Sequence, residues 1–300
     1  MSLSELEQII TQLRKQPLFE NLEIEELRAK YEEVATSFPT PTDAIIERVD
    51  ALGVPGQLVL APGASNLATI VYLHGGGYAM GSLDTHRTLA YNLSQASGFQ
   101  VLQVDYRLAP EHPFPAALQD LVTTIKWLRQ NGLPINRIGM AGDSAGGGLA
   151  LATCLVLRDA GEELPAAVVC ISPWTDLAGR GESMQSKASV DPLISSSMTE
   201  YFSNLYLEDE DACHPLASPL YADLSGLPPL LFQVGSDEIL LDDSTRFIAK
   251  AEEARVEVEL KVWEKMIHVW HLFAPILAEG QEAIAEAASF LQKHLENNND

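Results

Sequence analysis

Ser144 stands at the centre of Gly142-Asp143-Ser144-Ala145-Gly146, between an apolar run and the helix-forming stretch 149–157. A serine at the apex of a strand, a sharp turn and a helix can act as a nucleophile. The turn lifts its hydroxyl clear of the sheet and points the following backbone N–H groups at one spot. Glycine on both sides lets strand and helix cross closely. Alone, the pentapeptide is short enough to arise by chance, and a serine capping a helix after a glycine-rich turn reads the same way. His74-Gly75-Gly76-Gly77, which follows the apolar run 68–73, narrows the choice. Three glycines after a strand let bare N–H groups approach a reacting oxygen, whereas a merely flexible loop would not need to pair with a serine elbow.

A serine hydroxyl is a weak nucleophile, so it needs a base, and the base needs a third group to orient it. For a nucleophile on such an elbow, the acid and then the histidine follow in the chain. The downstream histidines are His214, His268, His271 and His294. His294 falls on a polar terminal helix and is expected at the surface, and His214 falls in the strandless interval 177–216, read as a helical insertion. His268 and His271 both lie after the last strand-like run, 256–263, where the base belongs. His268 comes first and is the expected base; His271 reads as a packing residue at the start of the last helical region. The acid belongs just past the run 230–234, where Asp237, Glu238, Asp242 and Asp243 cluster. Acidic residues are also welcome at the N-terminus of the helix that follows, so chain order favours Asp237 or Glu238 without separating them.

The elements that must position these groups are legible as apolar runs. Residues 45–49 and 57–61 read as an opening pair of strands around a turn at 53–56. Runs at 68–73, 100–105, 137–141, 167–172, 229–235 and 256–263 follow, with helical stretches such as 118–130 and 242–254 between them. The inner runs are apolar throughout, as in a parallel sheet covered on both faces. The fold class is therefore α/β, with an eight-stranded, mostly parallel sheet and helices on both sides. The first forty residues differ. Leu3, Leu6, Ile9, Ile10 and Leu13 recur at helical spacing after a Ser2-x-x-Glu5 capping box, and Pro17 ends that helix. A second helix from Glu23 presents Ile24, Leu27, Tyr31 and Val34 on one face, before Pro39 and Pro41. The interval 177–216 holds no strand but carries Tyr201, Phe202, Leu205 and Tyr206. The expected organisation is a pair of N-terminal cap helices over 1–42 and a core over 43–300. A second helical cap segment is inserted at about 178–215.

Three hundred residues with 46% hydrophobic content can bury a large core. A formal charge of -23 argues against nucleic acid and anionic membrane as partners, since both need basic patches. Cys154, Cys170 and Cys213 show neither disulfide nor metal-ligand spacing, and no metal or other cofactor is expected. The N-terminus lacks the basic and apolar regions of a secretory signal, and no apolar stretch is long enough for a membrane span. A cytoplasmic location without membrane insertion is the expectation.

Four stretches carry a family resemblance: His74-Gly75-Gly76-Gly77-Tyr78, the Tyr-Arg-Leu-Ala-Pro-Glu-His-Pro-Phe-Pro-Ala-Ala run at 106–117, Gly142-Asp143-Ser144-Ala145-Gly146-Gly147, and Asp191-Pro192-Leu193. From Ala68 onward the chain resembles the bacterial hormone-sensitive-lipase-like carboxylesterases of the α/β-hydrolase superfamily. The resemblance implies a cap of helices and hydrolysis of small-molecule, short-chain acyl esters through an acyl-enzyme. It also implies Ser144 as nucleophile, His268 as base, and the N–H groups of Gly75, Gly76 and Ala145 as oxyanion donors. In that family the acid opens an Asp-Pro-Leu-x-Asp-Glu pattern. Glu238-Ile239-Leu240-Leu241-Asp242-Asp243 overlays it with glutamate for aspartate and Ile239 for proline, which favours Glu238 over Asp237 and a Ser-His-Glu triad. Asp143 is read as a brace for the surrounding loops. Arg107, paired with a carboxylate, is expected to fix the loop it opens. Two other readings remain: an amidase or peptidase using the same triad, and a non-catalytic ligand-binding protein on the same scaffold. The last strand is also expected at an exposed edge that can pair in a homodimer across a two-fold axis.

Overall fold

A computed structural model describes residues 4–15, 22–35, 37–38 and 40–296. Its strands are β1 (Ile45–Ala51), β2 (Val54–Leu60), β3 (Ser65–Leu73), β4 (Phe99–Val104), β5 (Ile138–Asp143), β6 (Ala167–Ile171), β7 (Leu230–Gly235) and β8 (Val258–Trp263). They form one sheet in the order β1-β2-β4-β3-β5-β6-β7-β8. The β1–β2 hairpin and the β2–β4 pair are antiparallel, and every other pairing is parallel. This is the eight-stranded, mostly parallel sheet expected of an α/β-hydrolase fold. The first hairpin turns at Leu52 and Gly53, both at positive φ (59° and 93°), as a two-residue connection requires. Gly56, expected in the turn, lies inside β2, where a Cβ would press on the Gln103 carbonyl at 2.8 Å.

The helices are α1 (Glu5–Lys15), α2 (Ile24–Ala35), α3 (Arg87–Ser97), α4 (Ala116–Gln130), α5 (Ala145–Asp159), α6 (Ser183–Ser186), α7 (Ser196–Leu207), α8 (Leu241–Glu253) and α9 (Ala278–Glu296). Alternate residues of the central strands feed opposite faces of the sheet. Val71 and Leu73 of β3 join a core with Leu121 of α4, Leu149 of α5 and Phe247 of α8. Ile70 and Tyr72 join a second core with Leu93 of α3 and Leu291 of α9. Two-sided burial explains why these strands read as continuous apolar runs.

Ser2, Pro17 and Pro39 lie outside the described residues. Among the described residues, α1 has a capping box formed by Ser4 and Glu7. The Ser4 hydroxyl accepts from the Glu7 N–H at 3.3 Å, and the Glu7 carboxylate accepts from the Ser4 N–H at 2.9 Å. Ile9 and Leu13 of α1 then pack with Met266, Ile267 and Trp270, in the loop after β8. Arg28 of α2 donates to the carbonyls of Ala79 and Ala109 at 2.8 Å each and grips both oxygens of Glu111. The loop opened by Arg107 is held as expected, with the guanidinium donating to Asp120 at 2.8–3.0 Å. The interval between β6 and β7 carries α6 and α7, and its Tyr206 stacks on Tyr78 with ring centroids 3.8 Å apart. Among the described residues, no helix is long and apolar enough to cross a membrane.

Candidate active site

β3 and β5 lie side by side with Leu73 opposite Gly142, so the loops leaving their carboxyl ends meet. The direction of chain progression across the sheet reverses here, which opens a crevice for a ligand. Ser144 occupies φ 52°, ψ −121°, a conformation costly for any residue with a Cβ. The closeness of the crossing maintains it: a Cβ on Gly142 would strike the Gly146 carbonyl, and one on Gly146 would strike the Leu73 carbonyl. Backbone bonds fix the turn from both sides. The Ser144 N–H donates to Ile171 O at 2.9 Å, and the Ser144 carbonyl accepts from Trp174 N–H at 2.9 Å. Ser144 and His268 both line one cavity of ≈ 120 Å³.

His268 Nδ1 lies 2.7 Å from Glu238 Oε2, and both side chains are buried. A carboxylate only accepts, so Nδ1 carries the proton and Nε2 is left with a lone pair. The other carboxylate oxygen of Glu238 accepts from the Gly235 N–H at 2.6 Å and from the Ser172 hydroxyl at 2.8 Å. Burial favours the neutral ring of His268. The hydrogen bond and charge of Glu238, with the charges of Asp191 and Asp143, outweigh that and raise its pKa above the ordinary 6.5. Asp237 points elsewhere: it is a third exposed and faces Lys187 at 3.9 Å. His271 is sealed in the core, 3.0 Å from Gln233 Oε1, and burial pushes it down to about 3. His294, expected at the surface, is largely covered and lies against the Phe290 ring at 4.7 Å.

The loop after β3 departs from expectation at one residue. Gly75 spends its N–H on Asp143 Oδ1 at 3.0 Å, so this donor is already engaged. Gly76 and Gly77 line the cavity instead, at φ 112° and 61°. Ala145 opens α5 directly after the serine, where the first N–H groups have no acceptor within the helix. Asp143 is the brace it was read as. Besides Gly75 it accepts from the Tyr72 hydroxyl at 2.6 Å and lies 3.3 Å from His86 Nε2. Burial alone would raise its carboxyl, but His86 and the Tyr72 hydrogen bond hold it below the usual aspartate value.

Ser172 is a site residue that spacing did not reveal. It is the first residue past β6, the strand between those that lead to Ser144 and Glu238. Its hydroxyl donates to Glu238 and accepts from Val269 N–H at 3.1 Å, tying the acid to the histidine loop. Two residues on, Trp174 lines the cavity, and its loop is held by Asp243, which accepts from the N–H groups of Thr175 and Asp176 at 2.7 and 2.8 Å. Burial and the neighbouring Asp176 push the Asp243 carboxyl up to about 8. A raised acid binds its proton more tightly in the folded state. The stabilisation is complete below the ordinary value of 3.8 and is lost as pH rises through about 8. Asp243→Asn is therefore expected to flatten the fall in melting temperature that the wild type shows as pH rises through that range.

A mostly parallel sheet of this order, with a serine elbow after the central strand β5, defines an α/β hydrolase. A family model for the alpha/beta hydrolase fold matches residues 70–272, and the chain belongs to that family. It is 45% identical over 260 residues to an acetyl-hydrolase of Streptomyces hygroscopicus, covering 83% of this chain and 87% of that protein. It is 38% identical over 271 residues to an esterase of Acinetobacter venetianus, covering 90% and 89%. A crystal structure of an esterase from the bacterial hormone-sensitive lipase family superposes with a TM-score of 0.95 at 45% identity, covering 98% of this chain and 100% of that one. Within its family the protein is a carboxylic ester hydrolase of the hormone-sensitive-lipase-like group.

Proposed function

We propose that the protein is a serine carboxylesterase for short-chain acyl esters, with Ser144 as nucleophile, His268 as base and Glu238 as the orienting acid. The observation that carries this reading is the 2.7 Å contact between His268 Nδ1 and Glu238, in a histidine that shares its cavity with Ser144. Ser144 Oγ attacks the ester carbonyl carbon while His268 Nε2 takes its proton, and Glu238 stabilises the resulting imidazolium. The carbonyl oxygen, now negative, is met by the N–H groups of Gly76, Gly77 and Ala145. The intermediate collapses as His268 protonates the departing alcohol, leaving an acyl-serine. Water, deprotonated by the same histidine, then releases the acid and restores Ser144.

The size of the cavity supports short acyl chains: an apolar void of roughly 150 Å³ holds a molecule the size of benzene, and this one is ≈ 120 Å³. The name of the acetyl-hydrolase relative supports the same class. Residues 1–42 and the segment at about 178–215 act as the cap. Tyr31 and Val34 from the first, and Leu193, Met198 and Phe202 from the second, complete the cavity walls.

Turnover of p-nitrophenyl acetate, butyrate and dodecanoate tests the reading, with p-nitroacetanilide as the amide. Rapid hydrolysis of the two short esters is expected, with at least a roughly tenfold lower kcat/KM for dodecanoate and little anilide cleavage. No hydrolysis by folded protein refutes it. Because His268 must be neutral to accept a proton and its pKa is raised, kcat/KM is expected to climb with pH along a limb centred above 6.5. A pH–rate profile checks this.

Homodimerisation through β8 belongs to the same proposal. β8 closes one edge of the sheet, exposing Glu259 and Lys261 on one face and, near its end, Val262 on the other, where it is 47% exposed. Sedimentation of the wild type and Val262→Lys should give a dimer and a monomer, respectively.

A further inference from the structure

Asp191 lies between α6 and α7, far in sequence from Glu238, yet its carboxylate is built into the loop that carries Glu238. One oxygen accepts from the N–H groups of Leu193 at 2.9 Å and Ile194 at 3.1 Å, shaping its own turn. The other accepts at 2.9 Å from the N–H of Ile239, the residue directly after Glu238. Ser183 closes the clasp from the other end of the same segment. Its hydroxyl donates to the Ile239 carbonyl at 2.6 Å and accepts from Asp242 N–H at 3.0 Å, while its own N–H donates to the Asp242 carboxylate at 2.8 Å. Both backbone polar groups of Ile239 are thus bound by the segment inserted between β6 and β7.

What this clasp holds lies on either side of Ile239. Glu238 is bonded to His268, and Leu240 lines the cavity together with Leu193 and Ile194. Backbone donors alone would be satisfied by a neutral acceptor, and burying a carboxylate is costly. A charge kept here points to a second task. Burial raises the Asp191 carboxyl, while positive charge on His268 and the three N–H groups pull it back. The interaction is mutual: Glu238, Asp191 and Asp143 are the anions that favour the His268 imidazolium.

We propose that Asp191 is a positioning residue for the Glu238–His268 pair. It holds the acid's loop through the Ile239 N–H and supplies a further negative charge that stabilises the imidazolium formed during acylation. The proposal rests on the Ser144–His268–Glu238 reading. It has a structural corollary. The segment that touches the acyl group is tied to the loop that orients the base, so loosening one disturbs the other.

The test compares pH profiles and active-site-titrated kcat on p-nitrophenyl acetate for wild type, Asp191→Asn, Ser183→Ala and Asp237→Asn. Asp191→Asn is expected to lower kcat roughly tenfold, the worth of about one hydrogen bond, with KM within about twofold. It should also move the acid limb of kcat/KM to lower pH, because His268 loses a neighbouring anion. Ser183→Ala removes part of the clasp without changing charge, so it should lower kcat and leave the limb in place. Asp237→Asn, a charge change beside the site but outside the clasp, should change neither. Where Asp191→Asn does not fold, Asp191→Ser keeps an acceptor for the turn and should show the same displacement. A neutral variant at 191 whose limb stays at the wild-type pH overturns the proposal, even if kcat falls. Full activity of Glu238→Gln would instead overturn the triad reading on which it rests.

Discussion

Replacing Ser144 with alanine is expected to lower kcat on p-nitrophenyl acetate by roughly a million-fold. His268→Ala should cost about as much, and the double variant little more. In the proposed triad nucleophile and base act as one unit: without the base the hydroxyl stays protonated, and without the hydroxyl the base has nothing to activate. What survives is the oxyanion donors and substrate binding, which still outpace water alone. Ser144→Ala should not disturb the fold. The bonds that fix the elbow run through the backbone of residue 144, to Ile171, Gly147 and Trp174, and none needs the hydroxyl. Alanine carries the same Cβ into the same positive-φ conformation, so backbone strain is unchanged. Kinetics, the melting temperature and mass spectrometry of an ester-treated sample check the prediction together. Wild type should show a trapped acyl adduct on Ser144, and the alanine variant none. A residual rate within about tenfold of wild type would place the nucleophile elsewhere.

The strands were legible because burial on both faces leaves an unambiguous signature, a short run with no polar alternation. The order of motifs along the chain then indicated which loops share the carboxyl edge. Side-chain direction was less legible. Asp237 and Glu238 are adjacent, yet one faces Lys187 and the other His268, a difference set by the tight turn leaving β7. The glycine loop shows the same limit. Spacing after β3 marks the glycines, but which N–H is left free depends on the positive φ of Gly76 and Gly77 and on the buried Asp143 carboxylate that claims Gly75. Ser172 was hidden for another reason. Its role comes from the position of β6 between β5 and β7, and strand order is a long-range property that no local pattern carries. At the N-terminus Ser2 and Ser4 both precede a glutamate by three, so spacing alone does not single out the Ser4–Glu7 box at α1.

Glu238→Gln should lower kcat by roughly ten-thousand-fold, while Asp237→Asn should stay within about twofold of wild type. Three donors converge on the Glu238 carboxylate: the Ser172 hydroxyl and the Gly235 N–H on one oxygen, and the His268 ring on the other. A glutamine offers only one oxygen. Satisfying the two donors at Ser172 and Gly235 places its amide NH₂ against His268 Nδ1, so that nitrogen must become the acceptor. The proton then sits on Nε2, the position that has to receive the proton of Ser144, and the ring is held in the wrong tautomer. The loss is therefore far larger than that of one hydrogen bond, and the variant should fold normally because every donor except the histidine keeps its partner. Glu238→Asp separates reach from charge. It retains the anion but is one methylene short of His268, and a misplacement of about 1 Å costs on the order of a hundredfold. The ranking Asp237→Asn, then Glu238→Asp, then Glu238→Gln, in order of falling kcat, tests the assignment. Loss of activity in Asp237→Asn with Glu238→Gln intact would move the acid by one residue. In that case the 2.7 Å contact at His268 would be structural.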